Sequence, residues 1–363
     1  MKKIVSVILA ISMGISLMAC GGSSEKAADS VEKKAEETKN AEENKDTIVW
    51  SFYSAYGPED GACCEIWPGL FDEIYEKTEG RLKIETFWYG THPYEGEDML
   101  KVVSDGTAEI AQFYSGYAEA VEPALAVEGL PLLLPVDGME AYKILSALWG
   151  NFEQDKSGTL EAILEEKWNA TLVHCMPASP QRLFTMGYEA TDADSLKGHK
   201  IRSYSTATAA FVQALGGTPV SLSLSDVYTS LSTNLVDGLI TSTLFGYNYG
   251  VFDFIDNLNC WEISSSTDAL MVNMDALAEL PDDVRDVFLQ VMRDSATKPE
   301  MLEIDKNDAL LDELKEKGVN IVYPSDEYRN EIRNQMQESV WAEWLESAGE
   351  DGKKVLDQLN SMM

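Results

Sequence analysis

Positive charge is scarce in this 363-residue chain: 28 lysines and arginines stand against 62 aspartates and glutamates, a formal net charge of -34. The averaged field of such a surface repels phosphate backbones and anionic headgroups, which excludes nucleic acid and a charged lipid face as partners. Salt screens that field over roughly 8 Å at physiological ionic strength, so a local arginine can still bind an anion. Histidine is nearly absent, with His92, His174 and His199 the whole complement. No His-Glu-x-x-His, Gly-x-Ser-x-Gly, P-loop or dinucleotide fingerprint occurs, which leaves a hydrolase or other enzyme as a remote alternative. Cysteine is limited to Cys20, Cys63, Cys64, Cys175 and Cys260, and no pair has Cys-x-x-Cys spacing. A zinc set of Cys63-Cys64 with His174-Cys175 therefore yields to buried apolar thiols, and neither metal nor cofactor is expected. Disulfides among the four later cysteines stay open, with three pairings allowed. Beyond the first residues no stretch approaches the ~20 apolar residues of a membrane-spanning helix.

What is present begins with an address. Met1-Lys2-Lys3 is basic, Ile4 to Leu17 is apolar, and Leu17-Met18-Ala19-Cys20 ends in small residues before a cysteine. This resembles a bacterial lipoprotein signal, which implies that residues 1–20 are an export segment and that Cys20 is lipidated. Several acyl chains give stable anchoring where one gives marginal binding. Residues 21–46 are Gly/Ser and then Glu, Lys, Ala and Asn without an aromatic, a solvated tether that lifts the rest off the membrane.

From Thr47 the pattern is α/β. Strands are expected at Thr47–Phe52, Leu82–Phe87 and Ala108–Phe113, with helices at Ile66–Thr78 and Glu97–Ser104 between them. A helix face runs through Tyr142, Leu145 and Leu148, and Ala170–Cys175 leads as a strand towards Arg182. A second unit alternates in the same way. After the Lys197-Gly198 turn, Lys200-Ile201-Arg202 opens a strand and Thr206–Leu215 has helical spacing stopped by Gly216-Gly217. Thr218–Leu222 is extended, Ser225–Leu231 caps a short helix, and Val236–Ile240 returns as a strand. Two such units imply two parallel-sheet lobes. Further on, Ala269–Asn273 reads as a strand and Asp282–Lys317 as the longest helical stretch, interrupted by Pro299. Asn320–Tyr323 is a late strand and Glu327–Leu345 a final amphipathic helix.

The second unit resembles the solute-binding proteins of tripartite ATP-independent periplasmic (TRAP) transporters, the DctP family. The family pattern is a Lys-Gly-x-Lys-Ile-Arg strand, a helix ending at Leu-Gly, a Pro-x-Pro-like strand, a Glu/Asp-Val-Tyr-x-x-Leu helix and Val-Asp-Gly. Asp105-Gly106-Thr107-Ala108-Glu109-Ile110, Leu130-Pro131-Leu132-Leu133 and Leu280-Pro281-Asp282-Asp283-Val284-Arg285 extend the likeness over nearly the whole mature chain. The resemblance implies a two-lobed, type II periplasmic-binding-protein-like α/β fold with a ligand cleft between lobes and a long helix crossing both. Lobe I is expected at 47–176 plus 266–300, and lobe II at 177–265 plus 301–350. It also implies capture of a small organic acid, delivery to membrane permease subunits, attachment to the outer face of the membrane by the lipid anchor only, and a monomer. A ligand-sensing lipoprotein serving a membrane sensor kinase is the alternative that uses the same fold.

Arg202 is the central site candidate, since a planar, permanently charged guanidinium matches a carboxylate; the competing reading is a salt bridge to one of the many acids. Arg182 is a second candidate on the resemblance. Thr241 stands where the family has a ligand-binding asparagine, so a hydroxyl replaces an amide and the usual small polar acids become less well matched. Aromatics cluster at Phe52, Tyr53 and Tyr56, at Phe113, Tyr114 and Tyr117, and at Phe245, Tyr247 and Tyr249. Tyr53, Phe113 and Tyr228 are the aromatic cleft candidates, and core packing is the competing reading for each.

Overall fold

The computed structural model describes residues 47–57, 62–151, 156–265, 267–296 and 303–363. The signal, Cys20, the tether and Pro299 lie outside the described residues. Two mixed sheets carry the fold. The first has the order β2-β1-β3-β12-β6, where β1 is Ile48–Tyr53, β2 Leu82–Phe87, β3 Ile110–Tyr114, β6 Ala170–Pro177 and β12 Thr267–Asn273. The second has the order β13-β11-β7-β10-β8-β9, with β7 Gln181–Thr185, β8 Lys200–Ser203, β9 Thr218–Ser221, β10 Gly238–Ser242, β11 Asn257–Ser264 and β13 Asn320–Val322. A small ladder of β4 (Gly150–Asn151) and β5 (Lys156–Ser157) stands apart.

The expected helix-linked units are present, but neither sheet is purely parallel. β1 runs parallel to β2 and β3, whereas β12 runs antiparallel to β3 and β6. Likewise β8 is parallel to β9 and β10, while β7 is antiparallel to β10 and β11. The cause is connection length. β6 passes to β7, and β11 to β12, through links too short for a crossover helix, so these strands enter the other sheet directly.

Burial on both faces explains the apolar strands of the second sheet. Leu183 and Ile240 pack on one side with Ile201, Phe211, Trp261 and Ile332, while their neighbours Phe184 and Leu239 pack on the other with Val227, Leu258 and Leu314. Successive side chains of a strand point to opposite faces, so both layers draw on the same few residues. Local signals set the elements that frame the cleft. Gly198, at φ 86°, makes the turn into β8. Ser205 accepts from Thr208 N to start the helix Thr206–Ala214, and Gly216, at φ 81°, ends it.

The element that crosses both sheets is near the C-terminus. Helix Asp326–Met336 contributes Ile332 and Met336 to the second sheet's core. A π-helical turn, Gln337–Trp341, follows, and helix Ala342–Asn360 contributes Trp344, Val355 and Leu359 to the first sheet's core. This extends the expected Glu327–Leu345 helix and moves its far end from the expected lobe II span 301–350 to the first sheet. Of the expected 282–317 stretch, interrupted at Pro299, the described residues form the helices Asp282–Ala296 and Glu303–Glu316. Their packing differs, since Val284 and Phe288 join the first core and Leu310 and Leu314 the second sheet.

Two buried ionisable groups of the first core matter for stability. Glu128 accepts from Ser115 Oγ, Thr267 N and Thr267 Oγ1, and also from Trp149 Nε1, which pins the start of β12 where the chain enters the first sheet. His174 is fully buried edge-on to Trp67, and neither ring nitrogen has a hydrogen-bond partner among the described residues. Burial disfavours its imidazolium and lowers its pKa to about 3. The unfolded chain, with a pKa near ~6.5, binds the proton the native state refuses, so stability falls as pH drops through that window. Between pH ~7 and ~5.5 the loss from this residue is about 1 kcal/mol, and His174→Leu is expected to remove it. Urea midpoints of both proteins across that range check this; parallel curves would assign the acid sensitivity elsewhere.

Candidate ligand-binding site

Arg202 sits in β8 at 3% exposure. Its Nε donates to Leu222 O at 3.1 Å and its Nη1 to Ile240 O at 3.0 Å, so two backbone carbonyls fix the plane of the guanidinium. The remaining N–H groups make no hydrogen bond to the described residues, and no carboxylate among them lies within ion-pair distance. Burial lowers its pKa, but a guanidinium starts high enough to stay charged. A charge desolvated in this way without a counter-charge is costly, and a ligand anion relieves that cost.

The guanidinium borders a cavity of about 40 Å³ between the two sheets. Tyr56, Tyr114 and Tyr117 line it from the first sheet's side; Gln181, Tyr204, Thr241 and Phe245 line it from the second's. Tyr204 follows Arg202 by two residues and places its ring 5.3 Å from the guanidinium carbon. Ser242 caps the helix Thr243–Asn248, accepting from Phe245 N, and that helix holds the Phe245 ring edge-on to Tyr56 at 4.9 Å. The phenols of Tyr114 and Tyr204 meet at 3.1 Å across the cleft. Burial raises the pKa of both, so they stay neutral hydrogen-bonding groups. Thr206 N donates to Glu119 Oε2 at 3.2 Å as a further link across the cleft. A second cavity of about 150 Å³ shares Tyr117, Arg202 and Tyr204 with the first and extends to Tyr89 and Glu97.

Of the residues singled out in the sequence, the structure brings Arg202 and Thr241 together at this cavity. Thr241 is buried in β10, next to the Ile240 carbonyl that holds Arg202. Arg182 goes elsewhere. Its Nε lies 3.1 Å from both oxygens of Glu262, its Nη2 donates to Glu262 Oε1 at 2.8 Å, and its Nη1 donates to Thr243 Oγ1 at 2.8 Å. Burial works against the charge, and the Glu262 carboxylate more than offsets it, leaving the pKa raised. Glu262 reaches this position because β11 bulges between Asn259 and Ser264, with Glu262 itself at φ 47°. The ion pair weighed as the competing reading for Arg202 is thus found at Arg182.

The three aromatic candidates also lie off the cavity. Tyr53 stacks on His92 at 4.8 Å and meets Phe87 edge-on. Phe113 is a core residue, edge-on to Trp149 at 6.0 Å. Tyr228 is 48% exposed and packs on Phe254. Their places are taken by Tyr56 and Tyr114, from the same clusters, and by Tyr204 and Gln181, which the sequence reading did not single out. Tyr204 had a signal: residues two apart in an extended run share a face, so a Tyr at that spacing from Arg202 belongs beside it. Among the described residues no group of His, Cys, Asp and Glu could hold a metal ion, and no helix is long and apolar enough to cross a membrane. Cys175 and Cys260 are free, buried thiols.

Residues 69–347 match the family model of DctP, bacterial extracellular solute-binding protein, family 7. The chain is 22% identical over 275 residues to the ectoine-binding periplasmic protein TeaA of Halomonas elongata, covering 74% of this chain and 77% of that protein. It is 22% identical over 323 residues to the ectoine/5-hydroxyectoine-binding periplasmic protein UehA of Ruegeria pomeroyi, covering 87% and 90%. Its fold matches DctP6, a Bordetella pertussis extracytoplasmic solute receptor binding pyroglutamic acid, with TM-score 0.76 at 20% identity, covering 86% of this chain and 100% of that one. A TRAP periplasmic solute-binding protein from Chromohalobacter salexigens with bound d-glucuronate matches with TM-score 0.74 at 19% identity, covering 86% and 99%. The chain belongs to the DctP family of bacterial extracellular solute-binding proteins, the solute receptors of TRAP transporters.

Proposed function

We propose that this receptor is an exported lipoprotein, anchored through Cys20, that grips the carboxylate of a small molecule with Arg202 and delivers it unchanged to the membrane permease of a TRAP system. The observation that carries the reading is Arg202: a buried, carbonyl-fixed guanidinium with no carboxylate partner among the described residues, bordering a tyrosine-rich cavity between two sheets. Pyroglutamic acid and d-glucuronate, the ligands named for two proteins of the same fold, are both carboxylates. The lobes of this reading, 47–176 plus 266–300 and 177–265 plus 301–350, close on the ligand about the short β6–β7 and β11–β12 links. Native mass spectrometry of the protein purified from its host tests the proposal: a retained organic acid, released by denaturation with its mass unaltered, is expected. A retained ligand without a carboxyl group, or one converted during incubation, would overturn it.

Thr241 tunes ligand choice in this scheme. Thr241 borders the cavity, its hydroxyl makes no hydrogen bond among the described residues, and an asparagine there offers both a donor and an acceptor. Thr241→Asn is expected to shift preference towards smaller, more polar acids while the empty protein melts within a few degrees of wild type. A large stability loss with unchanged selectivity would make Thr241 a packing residue.

A further inference from the structure

We infer that the ligand is a compact zwitterion, its carboxylate on Arg202 and a cationic nitrogen held by Glu97 against the rings of Tyr89 and Tyr117. This rests on the carboxylate reading above and adds the identity of the ligand's other end.

The argument begins with unanswered charges. Among the described residues lining the cavity at Arg202, the adjoining 150 Å³ cavity and the 680 Å³ groove outside them, Arg202 is the sole cation. The carboxylates there are Glu95, Glu97, Glu119 and Glu343. A second acid group on the ligand would meet no cation and several anions, in a chain of net charge -34. A positive group would meet the reverse.

The glutamates are not equivalent. Glu95 accepts from Tyr89 Oη at 2.8 Å, and Glu119 is engaged by Thr206 N. Glu343 lines only the outer groove, on the crossing helix. Glu97 borders both the inner cavity and the groove, and its carboxylate makes no hydrogen bond or ion pair with the described residues. It is nevertheless close enough for its charge to act on Arg202. Two opposite charges, neither with a counter-charge among the described residues, therefore border one 150 Å³ space, which is the arrangement a ligand bearing both signs would bridge.

Aromatic faces complete it. Tyr117 lines both inner cavities and the groove, and its ring lies so close to the Glu95–Glu97 turn that a Cβ on Gly96 would come within 2.6 Å of it. Glycine at 96 leaves room for the ring on the cavity that Arg202 and Glu97 also line. With Tyr89 on the same cavity, a cation placed near Glu97 gains ring-face attraction as well as a counter-charge.

Matched probes test this by calorimetry. L-Proline is compared with cyclopentanecarboxylate, and glycine betaine with tert-butylacetate; each pair keeps size and carboxylate and differs in the positive nitrogen. In wild type at least one zwitterion is expected to bind roughly tenfold or more tighter than its uncharged counterpart. Glu97→Gln, at an exposed position and with unchanged melting, is expected to erase that preference while leaving the uncharged acid's affinity within about twofold. Equal affinity within both pairs, a preference that survives Glu97→Gln, or no binding of either zwitterion would overturn the inference. The parent reading fails differently: binding that survives Arg202→Ala removes the carboxylate grip, whereas Arg202-dependent binding with no charge preference leaves that grip intact and removes only the role of Glu97.

Discussion

Arg202→Ala is expected to weaken ligand binding by two or more decades. Removing the guanidinium leaves a ligand carboxylate desolvated and unpaired in the closed cleft, at a cost of roughly 3–5 kcal/mol, and each ~1.4 kcal/mol is tenfold in affinity. Arg202→Lys should recover only part, because an ammonium restores charge but not the fork that the Leu222 and Ile240 carbonyls hold in plane. Folding should suffer less than binding, since the wild-type residue is itself a buried charge without a counter-ion among the described residues. Calorimetry on the acid and its methyl ester, in wild type and Arg202→Ala, separates a direct contact from a general disturbance. A direct contact predicts that esterification costs wild type heavily and the variant little. An equal ester penalty in both would make Arg202 a structural residue.

The difference between Arg202 and Arg182 shows which parts of the candidate site could be read from sequence. Arg202 was legible because its neighbourhood is built locally: the Lys197-Gly198 turn, a four-residue strand, the Ser205 cap and the Gly216 stop lie within about a score of residues. Arg182 was not, because its partner Glu262 is 80 residues away and arrives through a bulge that no periodicity announces. The aromatic lining failed for another reason. β3 is buried at every position, so the alternation that tells one face from the other is erased, and Phe113 and Tyr114 are equivalent in sequence although one enters the core and the other the cavity. Part of the mixed sheet direction, by contrast, was available: the run between Ala170–Cys175 and Arg182 is too short for a crossover helix, so the strand at Arg182 could not follow as a parallel neighbour in the same sheet.

Arg182 should therefore behave as a stability residue. Glu262→Leu leaves a guanidinium buried without its bidentate partner, and a loss of roughly 3–5 kcal/mol in unfolding free energy is expected. Arg182→Met should cost a comparable amount, since the Glu262 side chain it strands is itself only 9% exposed. The double replacement Arg182→Met/Glu262→Leu should recover most of the loss, because an apolar pair of similar volume avoids desolvating two charges. Thr243 Oγ1, which accepts from Arg182 Nη1, can turn to another partner in the double variant, so its contribution to the cycle is small. Denaturant midpoints of the four proteins, at unchanged m-values, give the coupling directly. Affinity supplies the opposing test. With Arg202 intact, Arg182→Met should bind within a few-fold of wild type once stability is accounted for. A hundredfold loss of affinity at unchanged stability would mean that Arg182 leaves Glu262 for the ligand when the cleft closes.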